Sequence, residues 1–204
     1  MCTNSMTKIR PSSRTRKVLM TRLFSILQKP APRRQLSSST ITGTRSIRRK
    51  SNIVGMMGVH VGDPAPLFSL ADEQGGMVAL KNYYGVKPVV LIFYPGDDTP
   101  GCTKQLCAIR DNWKTFMKTG AAVFGVNHAD AESHAHFSAK HQLTVPLLID
   151  TDKKVAKSYG AIKKFFSTEV IKRTVVVIGR DGLIAYYRSG MPSNEEILSA
   201  IHTS

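Results

Sequence analysis

The chain has 204 residues, with 29 Lys and Arg against 14 Asp and Glu, which gives a formal charge of +15. Residues 1–62 hold 13 of the basic residues and no acidic one, so residues 63–204 are near neutral, with 16 basic residues against 14 acidic ones. The near-neutral part has the length of one globular domain. No apolar run reaches the roughly 18 residues that a membrane span needs, and three cysteines cannot form the even-numbered disulfide framework of a small secreted protein.

The first 53 residues have the composition of an organellar presequence. They are rich in Arg, Ser and Thr and contain no acidic residue, and we expect this segment to be disordered and cleaved. The segment 17–28 (KVLMTRLFSILQ) can form a short amphipathic helix, and the run 33–37 (RRQLS) resembles a mitochondrial processing site. The sequence therefore favours a mitochondrial location over a plastid, which is the second choice.

A different interpretation of the basic leader stays open. The run 45–50 (RSIRRK) could be a nuclear localisation signal or a nucleic-acid-binding patch. The protein would then be a nuclear protein with a basic arm on a redox fold, and its binding would weaken steeply with salt. We expect neither nucleic acid nor a membrane to be the partner.

From about residue 58 the sequence predicts alternating strands and helices. Short apolar segments on both sides of 72–76 (DEQGG) predict a hairpin, and 88–94 (PVVLIFY) predicts a strand that is buried on both faces. The remaining predicted elements are a helix over 101–119, a strand over 121–126, a helix over 131–142, a strand over 146–149, a helix over 152–159, strands over 174–178 and 183–188, and a helix over 193–202. The helix over 101–119 has an apolar stripe that includes Met117, and Ser193 with Glu196 predicts a capping box at the start of the last helix. This order predicts an α/β fold with a mixed central sheet flanked by helices, in a domain that covers residues 58–204.

The strongest chemical signal is the segment 93–107 (FYPGDDTPGCTKQLC). A buried strand ends there, a loop rich in Pro and Gly follows, and Cys102 lies in the first turn of the next helix. The free N–H groups and the positive end of the helix dipole stabilise a thiolate at such a position. A lone cysteine is more often an inert core residue, but the stiff approach through Pro95 and Pro100 favours a reactive one.

The same segment carries a family resemblance. Pro95, Thr99 and Cys102 fulfil the pattern P-x-x-x-T-x-x-C, which resembles the peroxiredoxin signature, and the string TPGCTKQLCAIRD resembles the peroxiredoxin Q/bacterioferritin comigratory protein branch. The similarity extends over roughly residues 58–200. It implies a thioredoxin-like fold and an atypical 2-Cys peroxidase, with Cys102 as the peroxidatic cysteine, Cys107 as the resolving cysteine and Arg173 as the arginine near the thiolate.

The resemblance also implies the reaction partners. The substrates would be hydrogen peroxide and organic hydroperoxides, the reductant would be thioredoxin or a similar dithiol, and the role would be antioxidant defence and redox homeostasis. No metal, haem or flavin would take part, and the protein would be a monomer. The segments 96–98 (GDD) and 127–128 (NH) depart from the family pattern, which affects the expected substrate preference and leaves the expected reaction unchanged.

Ionisation of a thiol alone cannot make a fast peroxidase. A thiol of ordinary pKa is already about a tenth ionised one pH unit below that value, and thiolate nucleophilicity falls as the pKa falls. Most of the rate must come from donors that hold the peroxide and stabilise the leaving oxygen, at about 3 kcal/mol per donor. We expect Arg173, the Thr99 hydroxyl and the N–H groups of Gly101 and Cys102 to be these donors, and Pro95 to shield the oxidised sulfur.

The spacing of Cys102 and Cys107 predicts a conformational change. In an intact α-helix, residues five apart have their Cα atoms about 8.6 Å from each other. A disulfide tolerates about 7 Å at most. The sequence therefore predicts a reduced state with the helix formed and an oxidised state in which residues 102–107 have unwound.

Two other interpretations concern the folded part. A thioredoxin-like disulfide oxidoreductase or isomerase normally uses C-x-x-C, which the chain lacks, and it would give Thr99 and Arg173 no role. Four histidines lie within 14 residues, but no cysteine completes a metal-ligand set, so we interpret them as a solvated polar helix face: His128, His134, His136 and His141.

Overall fold

The computed structural model describes residues 58–204. The predicted presequence, with its amphipathic segment, its processing site and its basic run, lies outside the described residues. No helix within the described part is both long enough and apolar enough to cross a lipid bilayer.

A five-stranded mixed sheet forms the centre of the described domain. Its strands are β3 (Val89–Phe93), β4 (Ala122–Asn127), β5 (Leu147–Ile149), β8 (Thr174–Ile178) and β9 (Ile184–Ser189), in the spatial order β5-β4-β3-β8-β9. β3, β4 and β5 run parallel to each other, whereas β8 is antiparallel to both β3 and β9. The predicted mixed sheet is confirmed.

The apolar run of β3 explains why the sheet is covered on both faces. Leu91 and Phe93 belong to one core, and Val90 and Ile92 belong to the core on the other face, because successive strand residues point to opposite sides. The second face is covered by α1 (Pro100–Asp111), α2 (Trp113–Thr119), α3 (Ala131–His141) and α5 (Asn194–His202). The first face is covered by α4 (Lys154–Ser158) and by the N-terminal hairpin of β1 (Ser69–Ala71) and β2 (Met77–Ala79).

A second hairpin, formed by β6 (Ile162–Phe165) and β7 (Thr168–Ile171), was not predicted. Its sequence, IKKFFSTEVI, has no Gly, Asn or Asp at the turn, which are the residues that usually mark a hairpin. Phe166 takes the left-handed conformation there, with φ 53°. The turn is therefore made by a residue type that gives no turn signal in the sequence.

The prediction of a single helix over 101–119 is wrong, because the helix is interrupted at Asn112. Asn112 has φ −101° and ψ 11°, and its side-chain Nδ2 donates to the carbonyl of Ala108 at 2.9 Å. Such a side-chain hydrogen bond competes with regular helix continuation. The break also changes the predicted apolar stripe, since Met117 is 57% exposed. At the other end of the domain the predicted cap is confirmed, because Ser193 Oγ accepts from the Glu196 N–H.

Candidate active site

Cys102 lies at the carboxyl end of the central strand β3. The loop 94–99 follows this strand, Thr99 is the last residue before α1, and Cys102 is the third residue of the helix. The Thr99 carbonyl accepts from the Thr103 N–H at 3.0 Å, whereas the N–H groups of Gly101 and Cys102 lie too early in the helix to have an intrahelical acceptor. The Cys102 side chain is fully buried. A buried sulfur therefore lies in the positive end of the helix dipole.

Arg173 brings a positive charge to this sulfur. Its Nη1 lies 3.6 Å from Cys102 Sγ and also donates to Oε1 of Gln105 at 3.1 Å. The register of the sheet explains the contact. Phe93, the last residue of β3, pairs with Thr174, the first residue of β8, so Arg173 precedes β8 at the edge where β3 ends. Gln105 was not predicted as a site residue, although its position three residues after Cys102 places it on the same face of the helix.

Gly101 allows the guanidinium to lie against the first turn of α1. A Cβ at position 101 would lie 2.8 Å from Nη2 of Arg173, which is too close for two heavy atoms that are not hydrogen-bonded. The absence of a side chain at this position is therefore what lets Arg173 reach the sulfur.

We expect Gly101→Ala to lower the rate of peroxide reduction about tenfold while changing stability little. The clashing group is the far end of a flexible side chain, which can move aside, but the move takes the guanidinium away from the reacting sulfur. The second-order rate constant for peroxide and the urea midpoint test this. Gly96→Ala is the matched control, because a Cβ there meets no atom within 4 Å. Equal rates in the two variants would contradict the role given to Gly101.

The other expected site residues differ in how far they are exposed and in what they contact. Thr99 is exposed, and its hydroxyl donates to the carbonyl of Gly96 at 3.4 Å instead of capping the helix. Pro95 is half-buried at the start of the loop. Cys107 is partly buried on the same continuous helix as Cys102, and both thiols are free. This arrangement matches the reduced state that the cysteine spacing predicts.

The loop before α1 is held by the carboxylate of Asp97. Its Oδ1 accepts from the Tyr94 hydroxyl at 2.9 Å and from Asn127 Nδ2 at 2.8 Å. Its Oδ2 accepts from Ser133 Oγ at 2.8 Å and from His134 Nδ1 at 2.9 Å. The end of β3, the end of β4 and the start of α3 are thereby tied to one carboxylate.

The interpretation of His134 as part of a solvated face is wrong. Its side chain is fully buried and pairs with Asp97, whose side chain is 7% exposed. The interpretation does describe His136, whose side chain is 71% exposed. A polar residue on a predicted helix is expected to face solvent unless its hydrogen-bond partner is known. The partner of His134 is Asp97, which lies 37 residues earlier in the chain. Among residues 58–204, no group of three or more His, Cys, Asp or Glu side chains could hold a metal ion.

The surroundings of Asp97 keep it ionised. Burial alone would raise the pKa of Asp97, but the hydrogen bonds from His134, Ser133 and Tyr94 outweigh burial and hold the pKa below its usual value. Burial and the neighbouring Asp97 carboxylate raise the pKa of Tyr94, so its hydroxyl stays protonated and donates. The four donors thus fit a charged carboxylate.

We expect Asp97→Asn to destabilise the protein by about 2–3 kcal/mol at neutral pH, because buried donors lose a charged acceptor. Since the folded pKa of Asp97 is lowered, its stabilisation is fully present above about pH 4 and is lost as the pH falls through the folded pKa. The difference between wild type and variant should therefore shrink in acid. Urea unfolding at several pH values measures it.

Asp98→Asn is the matched control for this prediction. The Asp98 side chain is 39% exposed and pairs with Lys140 and His141 on the surface of α3, so its loss should matter much less. A loss of stability that is equal in the two variants, or that does not shrink as the pH falls, would contradict the anchoring role of Asp97.

The described domain is similar to known proteins in sequence and in structure. The model of the AhpC/TSA family matches residues 61–187. The chain is 40% identical over 157 residues to peroxiredoxin Q, chloroplastic, of Oryza sativa subsp. japonica, over 77% of this chain and 68% of the relative. The solved structure of peroxidoxin BcpB from Mycobacterium tuberculosis is similar, with a TM-score of 0.64, 30% identity, and coverage of 70% of this chain and 96% of that one.

A second solved structure is similar over most of its length. It is the bacterioferritin comigratory protein of Xanthomonas campestris, a protein with alkyl peroxide reduction activity, with a TM-score of 0.62, 25% identity, and coverage of 67% of this chain and 90% of that one. These matches confirm the thioredoxin-like fold and set aside the disulfide oxidoreductase alternative. With an arginine beside a buried cysteine at a helix start, and with these relatives, the chain belongs to the AhpC/TSA family and is a thiol-dependent peroxidase of the peroxiredoxin Q branch.

Proposed function

We propose that Cys102 is the residue that attacks the peroxide and that Cys107 resolves the product within the same chain. The observation that carries this proposal is the position of Cys102 Sγ, buried at the start of α1 and 3.6 Å from Nη1 of Arg173. The backbone N–H groups at the start of α1 and the Arg173 guanidinium all direct positive charge toward the space beside Cys102 Sγ. A hydroperoxide bound there would meet a nucleophile and the donors for its leaving oxygen together.

The first step oxidises Cys102. The thiolate attacks one oxygen of the hydroperoxide, the O–O bond breaks, and the sulfur becomes a sulfenic acid. The other oxygen leaves with the electron pair of the broken bond and takes up a proton, which gives water or an alcohol. Arg173 and the free N–H groups of Gly101 and Cys102 stabilise the charge on that oxygen, and Pro95 and Thr99 shape the entrance.

The second step joins Cys102 to Cys107. The Cys107 thiol displaces the hydroxyl group of the sulfenic acid, which leaves as water, and a disulfide forms. Because both residues lie on one continuous helix, the first turns of α1 must unwind before the two sulfurs can meet. The Arg173 contacts with Cys102 and Gln105 are then given up.

The third step restores both thiols. A dithiol reductant of the thioredoxin class attacks the disulfide through one thiolate, forms a mixed disulfide, and closes its own disulfide as the two cysteines of this chain are released. Two electrons pass from the reductant to the peroxide over the complete cycle. Organic hydroperoxides are included among the substrates, because the Xanthomonas campestris relative is described as reducing alkyl peroxides.

Replacing Cys107 by Ser tests the assignment of the resolving residue. We expect one fast reduction of peroxide per chain, because Cys102 and Arg173 are intact, followed by a stop at the sulfenic acid. Turnover driven by thioredoxin should fall at least about a hundredfold, since no disulfide forms. A coupled NADPH assay and a stopped-flow peroxide assay measure the two phases. Normal steady-state turnover would show that an external thiol resolves the sulfenic acid.

We also propose that residues 1–53 are a presequence that directs the protein to a plastid and that the mature domain is a monomer. The acid-free, Arg-rich composition supports an organellar address, and the plant relative is named chloroplastic. The mitochondrial preference of the sequence analysis finds no support in that relative. Import of the labelled full chain into isolated chloroplasts and mitochondria tests the address, and processing by mitochondria alone would overturn it. Light scattering of the processed protein tests the monomer.

A further inference from the structure

The tip of the hairpin β6–β7 exposes two adjacent aromatic side chains. Phe165 is 64% exposed and Phe166 is 90% exposed, and their rings meet edge to face with centroids 4.9 Å apart. Phe166 holds a left-handed backbone conformation, which is unfavourable for a bulky residue. An aromatic side chain presents about 150–250 Å² of mostly apolar surface, so the pair forms an anchor of the kind that interfaces use.

Lysines surround this aromatic tip. Lys163 and Lys164 precede it on β6, and Phe166, Lys164 and Lys153 line one shallow depression together with Glu169. Glu169 is already engaged, because its carboxylate pairs with Lys157 at 2.6 Å and its carbonyl accepts from Lys153 at 2.9 Å. The surface around the tip is therefore strongly cationic, although residues 63–204 as a whole carry only two more basic than acidic residues. Such a surface complements an acidic partner.

The tip also lies within reach of the reacting cysteines. β7 ends at Ile171, and two residues later Arg173 contacts Cys102. The five residues from Thr168, beside the tip, to Arg173 span at most about 17 Å. An interface of standard size covers about 800 Å² on each partner, or roughly 32 Å across, so one bound protein can contact both the tip and the start of α1.

We propose that Phe165 and Phe166, with Lys163 and Lys164, form the docking surface for the acidic dithiol protein that reduces the Cys102–Cys107 disulfide. We call these four residues the Phe-Lys tip. The proposal rests on the proposed function, because it needs a disulfide that an external protein reduces. The hairpin continues directly into Arg173 at the active site, and a membrane partner would not need to lie close to that site. A reductant must reach that end of the molecule in every cycle.

The double variant Phe165→Ser/Phe166→Ser tests the aromatic anchor. With an acidic thioredoxin as the reductant, we expect its KM to rise at least about tenfold, because the anchor is lost. The rate of Cys102 oxidation by peroxide and the turnover driven by dithiothreitol should stay unchanged, since neither needs the docking surface. Val86→Ser is the matched control, because Val86 is 64% exposed at the opposite end of β3 and should change none of the three rates.

Charge reversal provides a second, independent variant. We expect Lys163→Glu/Lys164→Glu to raise the KM for the acidic thioredoxin by about tenfold or more at low salt, and the difference from wild type to shrink at high salt. An unchanged KM in both double variants overturns the proposal. Two further outcomes also overturn it, each with an unchanged KM. Loss of binding to anionic phospholipid vesicles would assign the tip to a membrane, and loss of a dimer on size-exclusion chromatography would assign it to a second copy of the chain. Failure of the proposed function is distinguishable, because it would appear as normal thioredoxin-driven turnover of the Cys107→Ser variant and not as an unchanged KM in the two double variants.

Discussion

Replacing Cys102 by Ser is expected to abolish peroxide turnover, with a loss of at least about ten-thousandfold in the second-order rate constant. A serine hydroxyl remains protonated at neutral pH, and the side chain that donates to this position within residues 58–204 is Arg173, which cannot remove its proton. The neighbouring donors would then surround an oxygen that cannot attack. The variant should fold normally, because a serine oxygen is smaller than sulfur and can accept a hydrogen bond from Nη1 of Arg173 at this core position.

Peroxide consumption followed directly by stopped flow measures this loss without depending on a reductant. Cys2→Ser is the matched control, since that cysteine lies in the leader, and its turnover should equal that of the wild type. Circular dichroism and the urea midpoint establish that Cys102→Ser is folded. Residual turnover within tenfold of the wild type would mean that another group reacts with peroxide.

Replacing Arg173 by Met is expected to lower the rate of Cys102 oxidation by about a hundredfold to a thousandfold, the usual cost of removing one donor to a developing negative charge. Arg173→Lys keeps the charge but cannot contact Cys102 and Gln105 with one planar group, so it should recover only part of the rate. Arg188→Met, at an exposed position on β9, is the matched control and should leave the rate unchanged.

The pH profile of Arg173→Met separates two ways in which the guanidinium can act. If it only favoured the thiolate over the thiol, raising the pH would restore the wild-type rate. We expect no more than partial recovery, because the guanidinium must also stabilise the leaving oxygen. Complete recovery at high pH would contradict this second role, and an unchanged rate at neutral pH would contradict both.

The parts of the fold that could be predicted depend on local patterns. We could predict the buried strand β3 and the cap at Ser193, because strand burial and helix capping depend on residues that are close together in the sequence. The break at Asn112 and the hairpin around Phe166 could not, because the first depends on one side-chain hydrogen bond and the second on a turn without Gly, Asn or Asp.

Some residues of the candidate site could likewise be predicted from the sequence, and others could not. Cys102 and Arg173 could be named from a family resemblance, although they lie 71 residues apart in the chain. The sequence alone did not indicate that Asp97 and His134 form a buried pair, since both read as surface residues when their partners are unknown. Polar pairs that join distant segments give no periodic signal, and the anchoring of the active loop was therefore missed.

The attack of Cys102 on peroxide is tested most directly by the chemical state of this residue after one equivalent of hydrogen peroxide, measured in the Cys107→Ser variant with a sulfenic-acid-specific label and peptide mass spectrometry. We expect stoichiometric labelling at Cys102, and loss of that labelling when Arg173 is also replaced by Met and the exposure to peroxide is short. A Cys102 that remains an unlabelled thiol while peroxide persists in solution would contradict it.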